Sequence, residues 1–508
     1  MDSKPPMLQF ILIPLMAQGH LIPMVDMARI LARRGVTVTI ISTPSNTIRF
    51  HATIDRDIES GLPIRVLQVQ FPSSEAGLPA ECDSVDTLPS GGLLKNFIVA
   101  LRMWQRPLEQ SLKEMNPGPS CIISDKAISW TADTASKFRI PRLVFDGTSC
   151  FTLLCNQSLY DSKAYEHASF GERFVVPGLP DHIEFTRAQL PETFNPGSLD
   201  ITDTRKEMRE AEDRAFGVVV NSFEELEPAY VDECRKLKGN KVWCIGPVSM
   251  CNREKKYKAQ RGNRASVDEQ QCLRWLDSWP PGSVIYACLG SLSQLSSLQL
   301  KELGLGLNMS SRPFIWVIRG NKTSELEKWI AEERFEEKTN GKGLLIRGWA
   351  PQVLILSHTS VGGFLTHCGW NSTLEGACAG VPMITWPLFA EQFYNEKLIV
   401  QVLRIGVRVG AEAAVRWWEE ENIGELVKRE AVKRAIEEVM DGEEEGEERR
   451  RRAKELKEMA KRAVEEGGSS FLNVGFLIED IMQLQALASR TNTGANLGAG
   501  DSQCLERV

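Results

Sequence analysis

Leu8 to Leu15 is a continuous apolar run of strand length, the pattern of a parallel strand covered on both faces. It ends in Ala17-Gln18-Gly19-His20. Pro23 then sits where a first helical turn tolerates it, Val25, Ala28, Ile30 and Leu31 share an apolar face, and Gly35 supplies a stop. Val36 to Ile41 reads as a second strand. Strand, helix and strand in this order form a βαβ unit, which commits the chain to a parallel sheet with helices packed on it.

The pattern continues. Ile64 to Val69, Cys121 to Ser124, Arg142 to Phe145, Gly217 to Asn221 and Lys241 to Ile245 read as strands. Leu93 to Met115 and Trp130 to Lys137 read as helices, and the Pro-rich, polar Phe170 to Phe194 as a long surface loop able to cover a pocket. A first domain is expected over 1–249, followed by a polar linker over 250–266. A second series starts with strand Ser283 to Leu289, running into Gly290-Ser291. Helix Leu298 to Met309, strands Phe314 to Ile318, Gly343 to Ile346 and Val381 to Thr385, and helix Arg429 to Met440 continue a second domain over 267–470. With 508 residues the chain is too long for one core, and two doubly wound α/β halves are the simplest reading. Glu443 to Glu466 reads as a solvated helix in which Glu448 pairs with Arg452. A terminal helix is expected over 471–488, packing back toward the first domain, and a disordered Gly, Asn and Ser-rich tail over 489–508.

Several classes of function are disfavoured. Sixty basic residues against 67 acidic give a net charge of −7, without the electrostatic footprint of a nucleic-acid binder. The 12 cysteines contain no CxxC pair and read as reduced, mostly buried thiols. Lys4 followed by Leu8 to Ala17 has the outline of a short leader, but Pro14 interrupts it and a helix pattern follows. No apolar run is long enough to span a membrane. Neither GxGxxG nor a Walker sequence follows either opening strand. Asp55-Arg56-Asp57 has the form of a metal-binding DxD but reads as a solvated, charged connection.

Chemistry is concentrated in two places. The 44-residue stretch Trp349 to Gln392 contains an apolar strand end, a Gly362-Gly363 turn, a His-Cys-Gly-Trp-Asn-Ser helix start and a closing Glu391-Gln392 pair. A helix opening with Gly369, Asn371 and Ser372 offers unpaired N–H groups and a positive dipole end to a phosphate, with His367 adjacent and Glu375 one turn on, placed for ribose hydroxyls. The bland alternative is a well-capped helix. Gly290-Ser291 is a second, weaker anion candidate. Of six histidines, His20 follows the first strand, at the rim where ligands bind in such sheets. Alone it reads equally as a capped or buried loop residue. Asp125, ending another strand, would make it a base with an orienting carboxylate.

These residues together resemble the signature box of the plant family 1 UDP-dependent glycosyltransferases, with similarity over about Leu8 to Leu487. The resemblance implies two facing Rossmann-like doubly wound domains of the GT-B type, with the acceptor bound mainly by the first and UDP-sugar by the second. It implies that Trp349 stacks on uracil, Ala350 and Gln352 contact the nucleoside, and Glu375 holds the ribose. Ser291, His367, Asn371 and Ser372 would hold the diphosphate, and Trp370, Glu391 and Gln392 the sugar. Gln at the closing position is associated with glucose, so UDP-glucose is the implied donor substrate, with no metal and no cofactor. His20 would deprotonate an acceptor hydroxyl and Asp125 would orient it. The implied product is a β-glucoside of a small lipophilic plant metabolite, a triterpenoid, flavonoid or related compound, made in the cytoplasm. A plant hormone acceptor, another UDP-sugar, or a non-catalytic nucleotide-sugar-binding protein are the alternatives.

Overall fold

The computed structural model describes residues 8–196, 201–293, 295–319, 324–415 and 426–498. Among the described residues nine strands precede the linker: β1 (Gln9–Ile13), β2 (Thr37–Ser42), β3 (Ile64–Gln68), β4 (Cys121–Asp125), β5 (Arg142–Asp146), β6 (Arg173–Val175), β7 (Glu184–Thr186), β8 (Gly217–Val220) and β9 (Val242–Cys244). Seven form a parallel sheet in the order β3-β2-β1-β4-β5-β8-β9. Alternation explains the unbroken apolar run at the start. Phe10 and Leu12 face helix Gln18–Arg33 through Leu21 and Met24, while Ile11 and Ile13 face Phe97, Leu101 and Trp104.

The second sheet is also parallel, in the order β12-β11-β10-β13-β14-β15. Its strands are β10 (Val284–Cys288), β11 (Phe314–Ile318), β12 (Gly343–Arg347), β13 (Val361–Thr366), β14 (Met383–Thr385) and β15 (Gly406–Arg408). Strand order reverses between β1 and β4 in one sheet and between β10 and β13 in the other. Crevices open at the carboxyl ends of strands at such switch points. His20 follows β1, Asp125 ends β4, Gly290 follows β10 and His367 follows β13, so all four lie at switch points.

Several elements differ from the sequence expectation. The helix expected over Leu93 to Met115 is two, Leu94–Met103 and Gln105–Lys113, because Pro107 has no N–H for a continuous ladder. Gly362-Gly363 is not a turn but lies inside β13. A Cβ on Gly362 would strike the carbonyl of Gly282, and one on Gly363 would come within 2.7 Å of Ile285 Cδ1, where the β10–β13 register shifts. The expected loop Phe170 to Phe194 carries the antiparallel ribbon β6–β7, whose Phe185 packs on Tyr394 of the second domain at a centroid separation of 5.0 Å. Helices Cys150–Ser162, Thr202–Asp213 and Pro228–Leu237 were not evident in the sequence.

Asp55-Arg56-Asp57 is not a solvated connection. It lies on helix His51–Glu59, and the buried Asp57 accepts from Arg29 and, at 3.0 Å, from Tyr257, because the buried Arg29 requires a carboxylate partner. The terminal helix extends over Ser469–Gly498, so residues 489–498 of the expected tail are helical backbone. The Leu, Ala and Arg residues around 486–490 are good formers and prolong a helix already anchored by packing. Val474, Leu477 and Ile481 of this helix join the first domain's core, and Lys241 pairs with Asp480 at 3.0 Å. Residues 499–508 lie outside the described part. Glu448 does pair with Arg452, at 2.9 Å, but Arg449 of the expected solvated helix is buried.

Candidate active site

The two switch points face each other across one cavity of about 580 Å³. All thirteen residues singled out in the sequence line it: His20, Asp125, Ser291, Trp349, Ala350, Gln352, His367, Trp370, Asn371, Ser372, Glu375, Glu391 and Gln392.

On the first domain's rim His20 Nδ1 lies 2.6 Å from Asp125 Oδ2. Asp125 is buried and its Oδ1 accepts from the Ala127 N–H at 2.9 Å, which fixes the carboxylate. An ionised carboxylate can only accept, so the neutral imidazole carries its hydrogen on Nδ1 and has its lone pair on Nε2. Burial disfavours the imidazolium, but the charge and hydrogen bond of Asp125 outweigh burial and raise His20 above its ordinary 6.5.

On the opposite rim the helix Trp370–Ala379 begins after Gly369 and ends at Gly380 in the left-handed region, φ 72°. His367 stands in a slot between two glycines. A Cβ on Gly290 would lie 2.5 Å from its Nε2, and one on Gly369 would overlap the same atom. Burial, with a smaller effect of Arg319, lowers its pKa to about 4, so the ring is neutral near pH 7. Its Nδ1 is buried and has no protein partner, a polar atom that suits a ligand contact.

Glu375 and Ser372 are buried and linked through Gln352, whose Nε2 donates to Ser372 Oγ at 3.0 Å and to Glu375 Oε2 at 2.8 Å. Trp349 is held through its backbone by Ser266 and has the Arg319 guanidinium 4.3 Å from its ring centroid. Gln392 Oε1 accepts from the N–H groups of Leu388 and Phe389 at 2.8 and 3.1 Å, leaving its amide nitrogen as the group available to a ligand. The Trp370 indole nitrogen, in contrast, donates at 2.8 Å to the Asn221 carbonyl of the first domain, and Asn371 Nδ2 donates at 2.6 Å to the Gly19 carbonyl beside His20.

Other groups at the cavity were missed in the sequence. Lys126 pairs with the buried Asp146 at 2.9 Å, beside the His20–Asp125 pair. Burial would raise the Asp146 pKa, but Lys126 and Thr148 overcome it and hold it low. The signal was available, since Asp146 ends a strand as Asp125 does. Leu15, Val85, Phe97, Leu101, Trp130 and Met208 form an apolar wall on the first domain's side. They come from separate segments, and nothing in their spacing unites them. Among the described residues, no group of three or more His, Cys, Asp or Glu is arranged to hold a metal ion, and no helix is long and apolar enough to cross a membrane.

Facing doubly wound domains with a polar slot on one side of the cleft and an apolar chamber with a His–Asp pair on the other define a glycosyltransferase of the GT-B architecture. Residues 7–250 match the family described as glycosyltransferase, N-terminal domain, and residues 269–444 match UDP-glucuronosyl and UDP-glucosyl transferase. UDP-glycosyltransferase 73C12 of Barbarea vulgaris is 54% identical over 481 residues, 94% of this chain and 97% of the relative. The Glycyrrhiza uralensis UGT73P12 structure, complexed with glycyrrhetinic acid 3-O-monoglucuronide, is 37% identical with a TM-score of 0.88, covering 97% of this chain and 100% of that one. The Arabidopsis thaliana UGT89C1 structure with UDP-L-rhamnose is 28% identical with a TM-score of 0.71, over 94% and 100%. The chain belongs to the plant UDP-glycosyltransferases, enzymes that transfer a sugar from a UDP-sugar.

Proposed function

We propose that the enzyme transfers glucose from UDP-glucose, with inversion, to a hydroxyl group of a lipophilic plant secondary metabolite of the triterpenoid or flavonoid type. The observation that carries this reading is the 2.6 Å contact between His20 and the buried Asp125, in the same cavity as the nucleotide-side residues. The acceptor hydroxyl gives its proton to His20 Nε2, and its oxygen bonds to the anomeric carbon as the bond to UDP breaks. Asp125 orients the imidazole and stabilises the imidazolium. The charge developing on UDP is met by the N-terminus of helix Trp370–Ala379, by Ser291, Asn371 and Ser372, and by an N–H of neutral His367. In this reading Trp349 stacks on uracil with Ala350 and Gln352 beside the nucleoside, Glu375 takes the ribose, and Trp370, Glu391 and Gln392 border the sugar. No metal takes part, so turnover should survive a chelator.

The apolar wall supports a lipophilic acceptor, and the Glycyrrhiza structure's glycyrrhetinic acid conjugate supports the triterpenoid class. The described cysteines are all free and mostly buried, which supports a reducing, cytoplasmic setting. The test is UDP release with UDP-glucose against a panel of triterpenoid and phenolic alcohols, with the product's anomeric configuration read by NMR. A β-glucoside that disappears with His20→Ala is the expected result. An α-glucoside, or turnover undiminished by that change, defeats the mechanism.

A further inference from the structure

The segment between the domains is more than a spacer. Arg261 leaves it with a side chain only 10% exposed. Its Nε donates to Asp26 Oδ2 at 2.7 Å, on helix Gln18–Arg33 of the first domain, and its Nη1 donates to Glu375 Oε1 in the second. Burial opposes the charge, and the carboxylates of Glu375 and Asp26 more than compensate. Two buried carboxylates from different domains therefore meet at one cation; Asp26 also lies 3.6 Å from Arg29 Nη1, whereas among the described residues the ion pair of Glu375 is with Arg261.

The next residues hold the neighbouring part of the same site. Gly262 has φ +88°, and a Cβ there would overlap the Trp349 ring, so its backbone lies against that indole. Asn263 Oδ1 accepts from Gln18 at 2.7 Å, and Ser266 exchanges backbone and hydroxyl hydrogen bonds with Trp349 at 2.8 and 2.9 Å. Residues 261–266 thus fix both Glu375 and Trp349 and tie them to the first domain. A carboxylate has about four acceptor positions. Arg261 and Gln352 use one on each oxygen of Glu375, which leaves one on each for a vicinal diol.

We propose that Arg261 is a positioning residue of the uridine site: from the linker it fixes Glu375 to receive the ribose diol and fastens that carboxylate to the first domain. The proposal rests on the reading of Glu375 as the ribose contact. It adds a dependence of ribose recognition on a residue outside both domains' sheets.

Calorimetric titration of the full chain with UDP and with 2′,3′-dideoxy-UDP separates the two readings. The unmodified chain should prefer UDP by about ten- to hundredfold, the worth of hydrogen bonds to a charged acceptor. With Arg261→Gln the preference should fall to within about threefold, because a Glu375 held through Gln352 alone no longer presents both oxygens. Arg261→Lys keeps the charge but not the fork, so its preference should be intermediate. It decides the matter alone if the Gln variant does not fold, since an unchanged preference in the Lys variant overturns the proposal. An unchanged preference in a folded Gln variant also overturns it. A chain that binds both nucleotides equally before any substitution overturns the ribose role of Glu375 and the proposal with it. A chain that binds neither overturns the nucleotide site itself.

Discussion

The two sides of the cleft are built differently. The side proposed for the nucleotide takes most of its polar groups from one contiguous stretch, Trp349 to Gln392, in which strand, helix start and closing pair follow each other directly. The side proposed for the acceptor collects Leu15, Val85, Phe97, Leu101, Trp130 and Met208 from segments spread over nearly 200 residues. Hydrogen-bonding groups must hold one geometry to recognise a diphosphate and a ribose, whereas an apolar wall works through volume and shape. A side built by direction has a recognisable sequence. A side built by shape does not.

Substitutions test this division. His20 lies between the two sides, so His20→Ala should lower kcat by about three orders of magnitude whichever substrate is varied. Asp125→Asn should lower it by a similar or somewhat smaller factor and also change the pH profile. Only neutral His20 accepts a proton, so activity rises as pH passes its pKa, which Asp125 holds above 6.5. Removing that charge moves the acid limb to lower pH. An unmoved limb would show that another group controls it.

Smaller changes should separate the two sides. Trp349→Ala should raise the KM for UDP-glucose about tenfold, by loss of base stacking, with the acceptor KM little altered. Equal changes in both would assign Trp349 a folding role. Met208→Ala should show the converse, a change of about three- to tenfold in acceptor KM with UDP affinity constant. If UDP binding weakens too, the wall is not confined to the acceptor side. Gln392→His should produce the smallest effect, a shift of about threefold or more in kcat/KM from UDP-glucose toward UDP-galactose, because the amide is replaced by a ring with a different donor pattern. A constant ratio would remove donor choice from that position.

Most strands and the placement of His20, Asp125, Ser291 and His367 at strand ends could be read from apolar runs and Gly or Pro punctuation, and Glu375 from its place one turn into the helix. Ala350, Gln352, Trp370, Glu391 and Gln392 were reached only through the resemblance to the family's signature box, and the strand order that makes the switch points was not legible. Gly362-Gly363 misled for a physical reason. Two glycines signal a turn by conformational freedom, but here they permit close backbone approach within a strand. Arg261 gave no signal because a Lys and Arg-rich linker contains many cations, and only tertiary placement shows which one is buried between Asp26 and Glu375. Pro107 could have revealed the helix break, and Asp146 the second charged strand end. The tail differed because a helix anchored at Val474, Leu477 and Ile481 carries on through residues that would not start one.

Trp370 and Asn371 open the helix proposed to face the diphosphate and bond to the main-chain carbonyls of Asn221 and Gly19 across the cleft. A carbonyl belongs to the chain whatever side chain its residue bears. In the proposed mechanism the spacing between general base and leaving group is therefore set by a joint that substitutions in the chamber wall should leave standing. On that proposal, changes such as those at Met208 or Val85 would admit new acceptors without rebuilding the reacting centre, so specificity could drift while the reaction is inherited intact.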